Sequence, residues 1–481
     1  LLILSIDDLR FDALGSSPDH SLLKRYGVTR PPRTPALDRF AREGAAFWGC
    51  RSVSTLTTPS HASMLTGLYP FRTGVRMYLP DKLRRGVKTL PDFLPGFEAI
   101  SCVDFKPMFK HTGLLRGFSE QKNEQAFVNR FARAATGGKR IVAFRHLGDV
   151  HGPYGLRKSG RFEPGEMAER YFKAYRRLVG PLTQAQARRA ARSPEAFHKI
   201  YTAIANSARA KGRVGAELMR LYLDGVREFD RGHFSELIDS LGARGLLDDT
   251  LVVITADHGE AQSRLKGFDH EFFGHGNDIS EECLRVPLIF WARKLKAGLK
   301  RRAFDQAVST VDIVPTVLAL LGVGAGTAVF DGVDRSPLFS GGAGGRVRAA
   351  RTESDCYAEI WRHDQKFWKN WSRCLAFIAD GRLRGGFPSL KSERHLEQRA
   401  VRSGRYKFLW DRASGERMFD TVSDPFETRD VRGPGRLRDE LRKRLEALPG
   451  AAAERAPRVN RWSPSDAETL LKGLHLLGYV G

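Results

Sequence analysis

The sequence predicts an α/β fold: a large, mostly parallel sheet flanked by helices, followed by a smaller C-terminal α+β subdomain. Two observations favour this fold. Short apolar runs recur with helical patterns between them, and late in the chain this pattern gives way to short strand patterns and turns. The 481 residues are 41% hydrophobic and 28% charged, which is enough apolar material for a sizeable core. Four runs have the character of buried strands: Leu1–Ile6, Arg140–Leu147, Leu251–Thr255 and Val286–Trp291.

The helices are predicted from their end signals. Thr34 followed by Pro35 predicts the start of one helix, since Thr caps a helix and Pro suits its first turn. Residues 165–220 are rich in Arg, Ala and Gln and carry no strand signal. They are predicted to form a helical insertion and are a candidate lid over the site.

The domain boundary is predicted near residue 345. A glycine-rich stretch at 341–345 is followed by short strand patterns, turns and amphipathic helices. We therefore expect a main α/β domain over 1–345 and a subdomain with a small antiparallel sheet and helices over 346–481. One late helix should place four leucines on a single face: Leu437, Leu441, Leu445 and Leu448.

The formal net charge is +24, from 79 Lys and Arg against 55 Asp and Glu. These basic residues are spread along the chain, apart from one dense run at 293–302, and no helix-turn-helix, RRM or zinc-finger signature accompanies them. The charge therefore favours anionic substrates over nucleic acid. The five cysteines lie far apart and form no CxxC, which argues against a disulfide scaffold and a structural zinc knot.

The most apolar stretch, residues 313–330, is uncharged but contains one Pro and three Gly. This pattern predicts a buried core helix rather than a membrane span, and no membrane anchor is visible. The chain opens at Leu1 in an apolar run too short for a signal peptide. We expect a soluble protein whose natural N-terminus lies upstream, and its compartment and oligomeric state stay open.

Polar side chains follow three of the predicted strands. Asp7 and Asp8 follow the first, Asp257 and His258 follow the third along the chain, and the loop after the second carries Asp149 and His151. In open α/β sheets, ligands bind beyond the carboxyl ends of the strands. The three strand ends are therefore predicted to form one shared site.

The segment 54–67, STLTTPSHASMLTG, predicts a helix with Thr58 as its cap, Pro59 at its first position and Gly67 as its stop. Thr57 would lie just before a helix N-terminus, which attracts an anion. Its hydroxyl could attack a phosphoryl or sulfuryl centre held there. Three carboxylates and one imidazole suit a divalent cation, so the predicted metal ligands are Asp7, Asp8, Asp257, His258 and the Thr57 oxygen.

Three further histidines are candidate site residues. His151 and His275 lie in Gly-containing loops, where packing does not require an imidazole, and are predicted to bind the anion or protonate the leaving group. His61 lies one turn into the Thr57 helix and is a candidate substrate-binding residue. His270 is left unassigned.

These residues fall within motifs that resemble the sulfatase family of the alkaline phosphatase superfamily. The matching segments run nearly end to end: LSIDDLRFDALG (4–15), RTPALDRFAREGAAF (33–47), TTPSHASMLTGLYPFRTGV (57–75), GDVHGPY (148–154), DDTLVVITADHGE (248–260), FGHG (273–276), VSTVDIVPTVLALLG (308–322), ERMFDTVSDPFE (416–427) and LHLLGYVG (474–481). The resemblance implies a metal-dependent ester hydrolase with a covalent intermediate. It matches Asp7, Asp8, Asp257 and His258 to the metal ligands, Thr57 to the nucleophile, His151 to a substrate-binding histidine and His275 to a position that often carries Lys.

One departure from the family pattern bears on the chemistry. Typical sulfatases carry a CxPxR motif whose Cys matures to formylglycine, whereas this chain has Thr57 and His61 at the Cys and Arg positions. A sulfated formylglycine can release sulfate by elimination, whereas a sulfated Thr cannot. The phosphoryl group of a phosphorylated Thr can be removed by in-line attack at phosphorus. We therefore expect no formylglycine. We do expect one divalent cation (Zn, Mn, Ca or Mg).

Three functions stay open at this point. The first is a hydrolase that cleaves a phosphate or phosphonate ester through Thr57, as phosphodiesterases and phosphoethanolamine transferases of the superfamily do with Thr. The second is a sulfuric ester hydrolase that works without formylglycine. The third is a catalytically silent protein that binds anions. The substrate is expected to be a small anionic ester, free or part of a larger polyanion.

Overall fold

The computed structural model describes residues 1–77, 81–157, 162–207, 213–262, 274–276, 278–293, 302–339, 355–363, 391–431, 435–448 and 458–461. Its main sheet contains eight strands, and four of the predicted strands recur there with ends shifted by two residues at most. The strands of this sheet are β1 (Leu2–Ile6), β2 (Ala45–Phe47), β4 (Phe97–Val103), β5 (Ser119–Glu120), β6 (Arg140–Leu147), β7 (Val252–Thr255), β8 (Leu288–Trp291) and β9 (Arg302–Phe304).

The sheet is mostly parallel, as predicted. Its strand order is β5-β4-β6-β1-β7-β8-β2-β9, and only β8 among these strands runs antiparallel to its neighbours. The strand β1 lies at the centre, hydrogen-bonded in parallel to β6 on one side and β7 on the other. All five residues of β1 are buried, because helices cover both sides of a parallel sheet.

The helices are α1 (Ser21–Lys24), α2 (Pro35–Glu43), α3 (Thr57–Thr66), α4 (Pro70–Thr73), α5 (Lys106–Thr112), α6 (Glu124–Thr136), α7 (Gly165–Leu178), α8 (Gln184–Ala190), α9 (Pro194–Ala205), α10 (Val214–Phe229), α11 (Ser235–Gly242), α12 (Glu281–Leu284), α13 (Ile313–Leu320) and α14 (Gly435–Ala447). The helix predicted at Thr34-Pro35 begins at Pro35. Its first N–H groups donate to the carboxylate of Asp230, whose Oδ1 lies 2.8 Å from the Leu37 nitrogen. The Thr34 side chain makes no capping hydrogen bond.

The stretch 165–220 forms the helices α7 to α9 and the start of α10, as a helical insertion would. Apolar side chains of these helices, including Tyr171, Phe197 and Leu218, belong to the same buried cluster as the central strands. These helices therefore share the main core, and the roles of 165–220 as an insertion and as a lid stay predictions.

The C-terminal part contains an antiparallel sheet of β11 (Cys356–His363), β12 (Lys391–Ser403), β13 (Tyr406–Asp411), β14 (Gly415–Asp420) and β15 (Arg458–Arg461). Two short strands, β3 (Cys50–Arg51) and β10 (Val308–Ser309), pair separately. In α14, Leu441 and Leu445 are buried and Leu437 packs partly buried against the same cluster. Leu448, one residue after the end of α14, also packs there. The predicted boundary near 345, Cys374, His270, most of the basic run and the motif 474–481 lie outside the described residues.

Candidate active site

The three predicted strand ends meet at one edge of the sheet. Since β1 pairs in parallel with both β6 and β7, their carboxyl ends lie side by side. The backbone N–H of Asp7 donates to the carbonyl oxygen of Leu147 at 2.9 Å and ties the first two ends together. The backbone N–H of Asp8 donates to Asp257 Oδ1 at 3.3 Å and links the third.

Asp7, Asp8, Asp257 and His258 form a buried cluster there. Asp8 Oδ1 lies 2.9 Å from His258 Nδ1, and Asp257 Oδ2 lies 3.4 Å from His258 Nε2. All four side chains are fully buried. Asp8 has a φ of +62°, a left-handed conformation that non-glycine residues rarely adopt and that is concentrated at functional sites.

The donor set of this cluster fits a divalent cation. Both carboxylate oxygens of Asp7 and of Asp8, together with Asp257 Oδ2, accept no hydrogen bond from the residues the structure describes. Burying carboxylates without partners is costly, and burial with the charges of Asp257 and Asp8 raises the pKa of Asp7 well above its usual range. A cation held by these oxygens and one imidazole would remove that cost.

The Thr57 hydroxyl lies beside this cluster. Its Oγ1 is 3.3 Å from His258 Nε2, at the first residue of α3. The predicted cap at Thr58 is wrong: the helix starts one residue before it, and the Thr58 hydroxyl donates instead to the carbonyl oxygen of Met77. Pro59 consequently lies at the third helical position, where its missing N–H still costs no intrahelical bond, and Gly67 ends the helix as predicted.

His61 lies on α3 with both ring nitrogens engaged inside the protein. Nδ1 is 2.7 Å from the carbonyl oxygen of Thr57, and Nε2 is 2.8 Å from the hydroxyl of Ser5. Burial lowers the pKa of His61 to about 3, so the ring is neutral. These contacts tie His61 to the backbone of the Thr57 turn, 3.8 Å from Asp257 Oδ2, and its predicted role in substrate binding stays a prediction.

His151 and His275 come together near Asp8. Their ring centroids are 5.3 Å apart, and the His275 ring lies 4.3 Å from that of His258. His275 Nδ1 is 3.0 Å from Asp8 Oδ1. The two loops that carry these histidines are far apart in sequence, and the fold brings both beside the metal-ligand candidates.

Sequence reasoning missed Glu260, which lies next to His275. Glu260 Oε2 is 3.0 Å from His275 Nδ1, and its Oε1 accepts a hydrogen bond from the Tyr154 hydroxyl at 3.1 Å. Burial and the nearby Asp8 carboxylate raise the pKa of Glu260 to about 7. The sequence offered one signal for Glu260 as a site residue, its position two residues after His258.

His146 was also missed, because it is hidden within the apolar strand β6. Its Nε2 lies 3.2 Å from Asp7 Oδ2, and burial lowers its pKa to about 4. This geometry gives Asp7 a neutral imidazole neighbour. No pattern in the sequence separates this histidine from the core residues of the strand.

The loop that carries His151 is held by a buried ion-pair network. A π-helical turn, Asp230–Phe234, joins α10 to α11 and presents His233. His233 Nδ1 lies 2.8 Å from Asp149 Oδ1 and its Nε2 lies 2.5 Å from Glu124 Oε2. Burial opposes a charge on His233, but Asp149 and then Glu124 outweigh it and raise its pKa to about 9.

A mostly parallel α/β sheet, with a carboxylate-rich candidate cation site at its strand ends and a hydroxyl at a helix N-terminus beside it, is the arrangement of alkaline phosphatase-like proteins. A family model described as Sulfatase matches residues 1–96 and 108–323. The chain belongs to the sulfatase family, as its motifs predict.

Individual relatives agree with this membership. Mouse (Mus musculus) steryl-sulfatase is 27% identical over 420 residues, covering 71% of this chain and 65% of the mouse protein, so the chain spans less than two thirds of that relative. A solved 2-O GAG sulfatase has a TM-score of 0.61 at 16% identity, covering 93% and 90% of the two chains. The phosphonate monoester hydrolase of Agrobacterium radiobacter has a TM-score of 0.62 at 17% identity, covering 95% and 96%.

Among the helices of the described residues, none combines the length and the apolar character needed to cross a membrane.

Proposed function

We propose that the protein is a metal-dependent ester hydrolase that attacks its substrate through the Thr57 hydroxyl. The observation that carries this proposal is the position of Thr57 Oγ1, 3.3 Å from His258 Nε2 and at the N-terminal turn of α3. Free N–H groups at a helix N-terminus attract oxyanions. The hydroxyl and an anion-binding turn therefore lie at the edge of the buried carboxylate cluster.

In this proposal Asp7, Asp8, Asp257 and His258 hold one divalent cation, with the Thr57 oxygen as a further ligand. When bound, the cation lowers the pKa of the hydroxyl and neutralises charge on the substrate. Asp257 is oriented for this role by its own backbone contacts. Its Oδ1 accepts the N–H groups of Asp8 and His258, which turns Oδ2 toward the cluster.

The reaction we propose has two displacements. Thr57 Oγ1 gives its proton to solvent and bonds to the phosphorus, the ester bond to the leaving group breaks, and the leaving oxygen takes a proton from His151 or His275. Water then attacks the phosphorus of the modified Thr57 and gives one proton back to that histidine. The bond between phosphorus and Thr57 Oγ1 breaks, Oγ1 takes a proton from solvent, and phosphate or phosphonate leaves. His61 acts as a positioning residue here, since its Nδ1 contacts the Thr57 carbonyl oxygen.

A phosphate or phosphonate ester is the favoured substrate. The absence of Cys at position 57 removes the route by which formylglycine sheds sulfate, whereas a phosphorylated Thr can be hydrolysed in line. The likeness of the fold to a phosphonate monoester hydrolase supports this preference only at the level of the fold.

The second candidate is a sulfuric ester hydrolase that works without formylglycine, favoured by the similarity to steryl-sulfatase. A silent anion-binding protein is the third, and the intact set of ligands and hydroxyl argues against it. The net charge of +24 suits an anionic ester, free or within a larger polyanion such as a glycosaminoglycan.

The test is turnover of four matched aryl esters, a sulfate, a phosphate monoester, a phosphodiester and a phosphonate monoester, after metal removal and re-addition. Two isosteric variants are compared, Thr57→Val and its neighbour Thr58→Val. Loss of the nucleophile should reduce kcat by about 10⁴-fold or more, as in other enzymes with covalent catalysis. Thr58→Val should keep turnover within tenfold, since it loses only the hydrogen bond to Met77, about 1 kcal/mol of stability.

Thr57-dependent turnover of a phosphorus ester, with a phosphorylated Thr57 peptide trapped by mass spectrometry, would support the proposal. A clear preference for the sulfate would refute the argument from the missing formylglycine. Equal loss in both variants would refute the assignment of Thr57 as the nucleophile.

A further inference from the structure

Two cationic side chains lie next to each other on one face of the C-terminal sheet. Arg402 of β12 pairs directly with Lys407 of β13, and on its other side it pairs with Cys356 of β11. Directly paired residues of antiparallel strands place their side chains on the same face, where like charges repel each other. This face of the sheet is therefore stable only if negative charge lies near it.

The main domain provides the opposite wall of a small cleft over this face. Arg51 of β3 and Glu281 of α12 line the cleft together with Cys356, Arg402 and Lys407. The side chains of Arg51, Glu281 and Lys407 are buried, whereas Arg402 is partly buried. The cleft thus lies between the main domain and the C-terminal sheet, and it reaches solvent at Arg402.

Two of the three cations have carboxylate partners. Arg51 Nε lies 3.1 Å from Glu281 Oε2, and its Nη2 lies 2.5 Å from the same oxygen. Lys407 Nζ lies 2.6 Å from Glu427 Oε1. A further carboxylate, Asp278, also interacts with Lys407, and burial raises the pKa of Asp278. The carboxylates around the cleft are therefore engaged with Arg51 and Lys407.

Arg402 has no such partner. Its Nε contacts the hydroxyl of Thr421 at 3.4 Å, and no carboxylate of the described residues lies within 4.0 Å of its guanidinium nitrogens. Burial and the charge of Arg51 lower the pKa of Arg402 to about 10, so the side chain stays charged at neutral pH. One positive charge in the cleft is consequently left without a close counter-charge, and such a charge is costly to bury.

The size and the donors of the cleft suit one small anion. The cleft has room for about one water-sized sphere, which is too little for a phosphate or a sulfate. The Arg402 guanidinium has several N–H groups besides the one that faces Thr421, and these can donate to an anion. A chloride ion is only slightly larger than a water molecule, and it carries the single charge that would balance Arg402.

We propose that Arg402, together with Arg51 and Lys407, binds one chloride ion in this cleft. The ion accepts hydrogen bonds from the Arg402 guanidinium and reduces the repulsion among the three cations. Because the cleft lies between β3 and the C-terminal sheet, the bound ion stabilises the contact between them. This site is separate from the candidate active site, and its existence does not depend on the proposed hydrolysis.

The test compares the melting temperature of the full chain in sodium chloride and in sodium gluconate, at equal ionic strength and pH. Gluconate is too large for the cleft, and equal ionic strength keeps the general screening of charges the same. Chloride should raise the melting temperature of wild type by about 1–3 °C relative to gluconate. Arg402→Met should abolish this rise. In gluconate, Arg402→Met should melt no lower than wild type, because the uncompensated charge is gone.

A matched control removes an arginine from the surface of the same sheet. Arg412 follows β13 directly and is exposed, so Arg412→Met should keep the full effect of chloride. Circular dichroism checks that both variants fold. A second measurement needs no variant: crystals of wild type soaked in sodium bromide should show an anomalous scattering peak beside Arg402.

Three results would overturn the chloride site. The first is an equal rise in wild type and in Arg402→Met, and the second is a rise that both arginine variants lose, since that would be a general charge effect. The third is a cleft without a bromide peak in crystals that bind bromide elsewhere, which would mean that the cleft holds only water. None of these results bears on Thr57, so the hydrolase proposal would stand or fall separately.

Discussion

The buried ion pair between His233 and Asp149 should make part of the protein's stability depend on pH. His233 lies in the π-helical turn and contacts Asp149 and Glu124 at 2.8 and 2.5 Å. Its pKa rises from the usual 6.5 to about 9 in the folded protein. At 1.36 kcal/mol per pKa unit, this rise corresponds to about 3 kcal/mol that favours the charged ring.

The sign follows from the direction of the rise. Because the folded pKa lies above the unfolded one, the contribution is fully present below pH 6.5 and is lost as pH rises through about 9. Linkage between the two pKa values gives about 3 kcal/mol at pH 6, about 2 kcal/mol at pH 7.5 and about 0 kcal/mol at pH 10.

The assay is urea unfolding of wild type and His233→Gln at these three pH values. The difference in the free energy of unfolding should fall by about 3 kcal/mol from pH 6 to pH 10. Repeating the comparison in an Asp149→Asn background should show a smaller fall, because the carboxylate that raises the pKa most is gone. A difference that is the same at pH 6 and pH 10 would show that His233 is not charged in the folded protein.

Three further outcomes are expected. Gly259→Ala should cost about 1–3 kcal/mol in urea unfolding and lower the affinity for the proposed cation, because a Cβ next to His258 would press on the carbonyl oxygen of Glu282; unchanged stability would contradict this packing. Arg10→Met should cost about 3–5 kcal/mol, since it leaves the buried Asp12 carboxylate without its cation and takes one partner from Glu282, which keeps the Tyr26 hydroxyl. Arg72→Met, whose partner lies nearer the surface, should cost about 1 kcal/mol or less, and equal losses in the two Arg variants would refute the role of burial. Chelation should lower the melting temperature, and a divalent cation that binds the site should restore about 2.7 kcal/mol at about 100 times its Kd. A melting temperature unchanged by chelation and by re-addition of Zn, Mn, Ca and Mg would exclude an ion bound to the native state.

Much of the candidate site could be predicted from the sequence because it lies at the ends of buried strands. The strand β6 has the predicted bounds, and β1 and β7 each begin one residue later than predicted. Parallel pairing then places the residues after each strand at one edge of the sheet. Asp7, Asp8, Asp257 and His258 meet there for that reason.

Other features depended on contacts between residues far apart in the chain. The N–H groups at the start of α2 donate to the carboxylate of Asp230, which is not a local side chain. The helix α3 begins after Leu56 and therefore one residue before Thr58. His61 turned to Ser5 because the two face each other across the core. Local propensity contains no information about such partners.

The sequence by itself determined the family, the order of strands and helices along the chain, and the residue types able to hold a cation and attack an ester. These follow from short motifs and from the alternation of apolar runs with polar ends. Only the tertiary structure decided that Glu260 joins His275 and Asp8, that His233 holds Asp149, and that His61 supports the Thr57 turn. The physical reason is that hydrogen bonds and charge pairs of buried side chains depend on distances of about 3 Å, which are set only when the sheet and its helices pack together.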